Sequence, residues 1–317
     1  MKILVTGAAG FIGSHLCAAM VGNHQIIGLD NLCDFYDPEI KKENILNLVN
    51  NQYFRFIKAD IRDQETLQRI FSENKIDMVI HLAAMAGVRP SLENPYLYEE
   101  VNIRGTINLL ELCAEYKIKK FIFASSSSVY GNNRKIPFSE DDEVNLPISP
   151  YAYTKKAGEL ICHTYNYLYD ISMVCLRFFT VYGPRQRPDL AIHKFAKLIL
   201  SGQKLPVYGD GSSERDYTYI DDIINGVSLA VDFCKQNKCY EIFNLGESKT
   251  ISLNKMIATL EEYLAIKAKR EYLPLQPGDM FKTSADLSKS QKILKYNPQT
   301  GFNEGIIKFV KWLKSNK

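Results

Sequence analysis

Tyr151 and Lys155 stand four residues apart in Ser149-Pro150-Tyr151-Ala152-Tyr153-Thr154-Lys155. On a helix that spacing projects both side chains from one face. An ammonium beside a phenol favours the phenolate and draws a pKa of about 10 toward neutrality. The phenolate is then a general base for the proton of a sugar or alcohol hydroxyl. Ordinary helix surfaces produce the same spacing often, so its meaning depends on what else the chain carries.

A partner for such a base is encoded at the other end of the first half. Ile3-Leu4-Val5 runs into Thr6-Gly7-Ala8-Ala9-Gly10-Phe11-Ile12-Gly13, which reads as strand, turn and helix start. Gly7 allows the sharp turn, Gly10 lets a pyrophosphate approach the backbone, and Gly13 lets the helix pack close to the sheet. The free N–H groups and dipole at the helix start, around Phe11 and Ile12, attract phosphate. A second apolar run, Ile26-Ile27-Gly28-Leu29, ends at Asp30. An acid about 20 residues past the turn accepts from an adenosine ribose hydroxyl and repels a 2′-phosphate, which selects NAD over NADP. Phe121-Ile122-Phe123-Ala124 leads into Ser125-Ser126-Ser127-Ser128. This places hydroxyls at the carboxyl end of a strand, where open α/β sheets bind ligands. One or two of these serines serve the turn itself.

These groups meet only if the elements between them form a parallel sheet. Strands are expected at Lys2–Thr6, Gln25–Leu29, Tyr53–Lys58, Met78–His81, Lys120–Ala124 and Met173–Arg177. Helices are expected at Phe11–Val21, Glu65–Glu73, Glu100–Tyr116 and Tyr151–Tyr169. That alternation implies an α/β fold. After Arg177 the elements shorten and loops carry Gly183-Pro184, Gly209-Asp210-Gly211 and Pro277-Gly278, as expected of a smaller lobe.

Together the three motifs resemble the extended short-chain dehydrogenase/reductase family, in its nucleotide-sugar epimerase/dehydratase branch. The resemblance spans essentially the whole chain. It implies a Rossmann-type doubly wound parallel sheet with a smaller α/β substrate-binding lobe. Residues 1–177 would form the NAD-binding domain and 178–317 mainly the nucleotide-sugar lobe, with late segments returning to the sheet. It further implies Ser126, Tyr151 and Lys155 as the catalytic set, with Tyr151 and Lys155 also against the cofactor. Gly7, Gly10, Phe11, Ile12, Gly13, Asp30, Asn31, Asp60, Ile61, Leu82, Ala83, Ala84 and Asn102 would complete the NAD site. Arg215, in Gly211-Ser212-Ser213-Glu214-Arg215-Asp216-Tyr217, matches the residue that clamps a nucleoside diphosphate, a task suited to a guanidinium. Asp279 matches an acceptor for the uridine ribose, while Gln276 stands where many relatives carry Arg.

Arg177-Phe178-Phe179-Thr180-Val181-Tyr182-Gly183-Pro184-Arg185-Gln186-Arg187-Pro188-Asp189 narrows the resemblance toward the UDP-glucuronate 4-epimerases. So do Asp30-Asn31-Leu32 with Tyr36-Asp37-Pro38, and Ala86-Gly87-Val88-Arg89-Pro90. A uronate brings a carboxylate, which needs charged or hydroxyl donors. Thr180 and Arg185, with Arg89 and Ser127, are the expected suppliers; Arg187 is expected to be a structural charge. The activity implied is NAD-dependent C4 epimerisation through a 4-keto sugar, UDP-glucuronate to UDP-galacturonate. A UDP-hexose or UDP-N-acetylhexosamine epimerase would use the same machinery. Related decarboxylases and dehydratases carry acids where Ser127 and Ser128 stand, which argues against elimination. An NAD-binding sensor without catalysis would not need the intact serine, tyrosine and lysine.

Bulk properties set limits. The 317 residues are 46% hydrophobic, enough for a sizeable core, and the net charge of +3 is too small and scattered to favour nucleic acid. Seven cysteines without a Cys-x-x-Cys pair, and five scattered histidines, suggest reduced thiols and no metal site. The apolar start belongs to the nucleotide turn, and no stretch approaches the length of a membrane span, so a cytoplasmic enzyme is expected. A homodimer through the helices near 100–116 and 151–169 is carried by resemblance alone.

Overall fold

In the computed structural model, residues 1–274 and 281–315 are described. Strand and helix alternate from the start: β1 (Lys2–Thr6), α1 (Phe11–Met20), β2 (Gln25–Asp30), α2 (Pro38–Ile45), β3 (Phe54–Lys58), α3 (Gln64–Glu73) and β4 (Met78–His81). Two short helices, α4 (Val88–Glu93) and α5 (Pro95–Glu99), lead through a wider π turn at Glu100–Arg104 into α6 (Gly105–Glu115). Next come β5 (Lys120–Ser126), α7 (Pro150–Tyr169), β6 (Ser172–Phe178) and β7 (Thr180–Tyr182). The rest comprises α8 (Ala191–Leu200), β8 (Lys204–Tyr208), β9 (Glu214–Tyr219), α9 (Ile220–Gln236), β10 (Tyr240–Leu245), β11 (Thr250–Ser252), α10 (Leu253–Leu264), β12 (Lys269–Leu273), α11 (Ser288–Leu294) and α12 (Phe302–Ser315).

Seven strands form one sheet in the order β10-β6-β5-β4-β1-β2-β3, each pair parallel. Its central strands are near-continuous apolar runs because helices cover both faces. β1, β4 and β6 are buried almost throughout, and two apolar clusters flank the sheet. Strand order reverses between β1 and β4, the position where such sheets open a crevice beyond their carboxyl ends. The Gly7 turn, Asp30, Leu82 and Ser126 all follow or end strands at that edge. β10 enters the sheet beside β6 from late in the chain. Two small sheets, β11-β9-β7 and β12-β8, lie outside the main one.

Local sequence explains how α7 starts where it does. Ser149 is its N-cap, accepting from the Ala152 N–H at 3.1 Å, and Pro150 occupies the first turn. Tyr151 therefore sits one residue inside a fixed helix start. The helix ends with Asp170 in the left-handed region at φ 53°. Strand and helix limits lie within two residues of those expected from sequence, except that 100–104 winds as the π turn. All seven cysteines are free. Among the described residues no cluster suits a metal ion, and no helix is long and apolar enough to cross a membrane.

Candidate active site

A cleft of about 750 Å³ opens along the carboxyl edge of the sheet. One end is built on the glycine turn. Gly7 has φ +71°, and a Cβ on Gly13 would come within 2.0 Å of the Gly7 carbonyl oxygen. A side chain on Gly13 would push α1 away from the turn, and one on Gly7 would strike the backbone of Leu82 and Ala83, so the glycines set how closely these segments meet at the cleft. Gly7, Gly10, Phe11, Ile12 and Gly13 line this end with Asp30, Asn31, Asp60, Ile61, Leu82, Ala83 and Ala84. Asp30 is clamped by the backbone N–H groups of Ala9 (3.1 Å) and Leu32 (2.9 Å). Asp60 accepts from Asn31 Nδ2 (2.9 Å) and pairs with Arg62, whose hydrogen bonds lower its pKa to about 2. A helix start cleared of side chains, with a fixed acid at the next strand end, fits a dinucleotide with a free ribose 2′-hydroxyl.

The middle of the cleft holds Ser126, Tyr151 and Lys155 together. Helix α7 is fastened to the end of β5 at three successive levels. Ser126 hydrogen-bonds Tyr151 and accepts from Ser128 N (3.1 Å) and Ser128 Oγ (2.9 Å). Lys155 Nζ donates to the Ala124 carbonyl at 2.7 Å and lies 5.9 Å from the Tyr151 ring centroid. One turn further on, the buried Glu159 accepts from Ser125 Oγ (2.7 Å) and from Arg177 Nε and Nη2 (2.8 and 3.0 Å). Arg177 faces Ser125 across the β5–β6 ladder and stacks 4.8 Å from the Tyr130 ring. Burial opposes the Glu159 charge, yet the Arg177 hydrogen bonds and charge hold its pKa below the ordinary value.

Electrostatically the site differs from the sequence expectation. The Tyr151 pKa lies above the ordinary tyrosine value, because burial penalises the phenolate more than the Ser126 hydrogen bond and the Arg187 charge favour it. Burial also lowers Lys155 to about 8, so this ammonium is itself costly. Arg187 is the nearby cation that acts on the phenol.

At the far end, Ser127, Thr180, Arg187 and Arg215 line the cleft. Arg215 Nη1 donates to the carbonyls of Glu214 (2.9 Å) and Phe281 (3.3 Å). Three expected contacts lie elsewhere. Arg185 does not line the cleft: it sits in the left-handed region at φ 60°, beside His15, whose Nε2 is 3.0 Å from the Pro184 carbonyl oxygen. Arg187, two residues on, lines the cleft instead. Arg89 stacks 4.6 Å over the Tyr208 ring outside the cleft, because α4 carries it away. Asn102 lies behind the wall, accepting from Met85 N (2.8 Å) and donating to Met85 O (2.9 Å) and Thr154 Oγ1 (3.0 Å). It braces the loop after β4 instead of facing a ligand. Asp279 and Gln276 fall outside the described residues.

Sequence reasoning left three contributors out and assigned a fourth otherwise. Arg187, expected to be a structural charge, lines the cleft, while Arg185 of the same motif does not. Phe35 and the Glu159–Arg177 pair carry no motif of their own. Tyr36 lay in a quoted motif, but nothing marked it as facing the cleft.

Residues 3–246 match the model of the NAD dependent epimerase/dehydratase family. The chain is 44% identical to a UDP-glucuronate 4-epimerase of Thermodesulfobacterium geofontis, covering 99% of this chain and 96% of that one. Its structure is similar to that of the UDP-glucuronic acid 4-epimerase of Bacillus cereus in complex with UDP-glucuronic acid and NAD, with TM-score 0.94, 41% identity and full coverage of both chains. The UDP-glucose 4-epimerase of Thermotoga maritima with UDP-glucose is also similar, at TM-score 0.91 and 33% identity over 100% of this chain and 99% of that one.

Proposed function

Because this chain belongs to the NAD-dependent epimerase/dehydratase family, we propose that it is an isomerase inverting C4 of a UDP-sugar, converting UDP-glucuronate to UDP-galacturonate. The observation that carries this reading is one cleft holding both the Ser126–Tyr151–Lys155 set and a half-buried arginine, Arg187. Gly7, Gly10, Phe11, Ile12, Gly13 and Asp30, with Asn31, Asp60, Ile61 and Leu82–Ala84, would hold NAD. NAD, when bound there, would supply the acceptor and donor for the hydride at C4.

Tyr151 takes the 4-hydroxyl proton and returns it to the same oxygen when C4 is reduced from its opposite face. Ser126 shares that proton path through its hydrogen bond to the phenol. Lys155, anchored on the Ala124 carbonyl, is fixed one helical turn from Tyr151 and would hold the nicotinamide ribose. The 4-keto sugar must present both faces in turn, so its tight anchor is the diphosphate, gripped by Arg215. A 4-keto uronate is a β-keto acid that loses carbon dioxide when the breaking bond aligns with the carbonyl π system. Thr180, Ser127 and Arg187 hold the carboxylate out of that alignment. Ser127 and Ser128 supply no acid to drive elimination. Neutral UDP-hexose epimerisation, the second reading, would run on the same set and leave Arg187 without a carboxylate.

Residues 1–177 form the NAD-binding part and 178–317 mainly the sugar-nucleotide part, with β10 rejoining the first. The enzyme works in the cytoplasm as a homodimer through α6 and α7, and the exposed Leu160, Tyr167 and Leu168 on α7 support that surface. Tyr151→Phe tests the core of this reading: turnover falls below detection while NAD stays bound. Retained turnover would remove Tyr151 from the base role.

A further inference from the structure

We propose that Phe35 is a specificity-determining residue, its ring forming the plate on which Arg187 is aimed at the substrate carboxylate. This rests on the uronate reading above. Arg187 belongs to the sugar side of the cleft and Phe35 to the loop that leaves Asp30 on the cofactor side, yet the guanidinium carbon lies 5.1 Å from the Phe35 ring centroid. Both residues line the cleft.

Arg187 is also held by Asp189. Asp189 accepts from Nε (3.0 Å) and Nη2 (2.6 Å), a bidentate grip that fixes one edge of the guanidinium. That grip leaves the Nη1 donors for a ligand. An edge fixed by Asp189 and a face laid on an aromatic ring define the direction of those donors. A cation over a ring is attracted to its face, more strongly where water is excluded, and the Arg187 side chain is only 17% exposed.

The Phe35 loop is itself fixed. Leu32 N and Cys33 N donate to the side chains of Asp30 and Asn31 at 2.9 Å each. Lys41 Nζ donates to the Cys33 carbonyl at 2.8 Å and sits 4.9 Å from the Tyr36 ring centroid. Asp37 caps α2 through the Glu39 N–H at 2.9 Å. One rigid loop thus presents an acid to the cofactor ribose and an aromatic face to the carboxylate-binding arginine.

The test is a pair of affinities on the non-reacting Tyr151→Phe protein, with and without Phe35→Leu, by calorimetry with UDP-glucuronate and with UDP-glucose. The leucine variant weakens UDP-glucuronate binding about tenfold and leaves UDP-glucose within about twofold. Phe35→Tyr, which keeps the ring face, restores the uronate affinity. In the active enzyme, Phe35→Leu raises the fraction of UDP-pentose formed by carbon dioxide loss. Unchanged uronate affinity, or equal weakening of both sugars, overturns the assignment. If the Tyr151→Phe protein with Phe35 intact shows no preference for UDP-glucuronate over UDP-glucose, the uronate reading itself fails, which is a separate result.

Discussion

Replacing Lys155 with methionine is expected to abolish turnover and stabilise the fold. The ammonium is buried, and burial lowers its pKa from the ordinary 10.5 to about 8. That change corresponds to roughly 3 kcal/mol of charge burial carried by the native state. Methionine fills similar volume without charge but leaves the Ala124 carbonyl without its 2.7 Å donor, a loss of about 1 kcal/mol. The net gain is about 2 kcal/mol, or roughly 3 °C in Tm for a chain of 317 residues. The sign depends on pH. A folded pKa below the unfolded one makes the cost complete below about pH 8, fading between 8 and 10.5. The advantage of Lys155→Met should therefore be full at pH 7 and shrink steadily as pH rises above 8. Differential scanning calorimetry of nucleotide-free protein at pH 7 and pH 9.5 checks both parts. A variant that melts below the parent at pH 7, or whose advantage grows with pH, would refute the reasoning.

Other perturbations separate binding, alignment and stability. Arg187→Ala should raise KM for UDP-glucuronate about tenfold or more and divert product to UDP-pentose, read by NMR of the reaction mixture; the loss of a charge-assisted bond has that size. Glu159→Leu alone should cost about 3 to 5 kcal/mol by urea denaturation, because it strands the buried Arg177, whereas Glu159→Leu with Arg177→Met should recover most of that loss. Glu159→Gln should retain NAD and substrate binding yet lower kcat, since Ser125 and Arg177 then lose the carboxylate that fastens α7 to β5 and β6.

The parts of the site that a local rule dictates were legible in the sequence. Gly13 is required by the turn itself, where a Cβ would meet the Gly7 carbonyl, and Tyr151 with Lys155 by helix periodicity beginning at the Ser149–Pro150 cap. Those contacts span a few residues, so the residue order alone contains them. Arg185 and Arg187 show where this stops. Both are arginines in one loop, yet Arg187 lines the cleft and Arg185, at positive φ, does not. Asn102 was assigned to the cofactor because its position matched a relative's, while its three hydrogen bonds commit it to Met85 and Thr154. The Glu159–Arg177 pair joins positions 18 residues apart, and Phe35 meets Arg187 across the cleft. Neither contact has a local signature, because each arises only once the sheet has brought separate segments to one edge. The depressed Tyr151 pKa expected from Lys155 spacing failed for a related reason: spacing reports proximity, and burial determines what the charge costs.

The most direct measurement is proton NMR of the purified protein incubated with UDP-glucuronate and no added NAD. The account predicts UDP-galacturonate as the product, with no net change in the cofactor. A UDP-pentose as the main product, or no reaction with UDP-glucuronate alongside turnover of UDP-glucose, would contradict it.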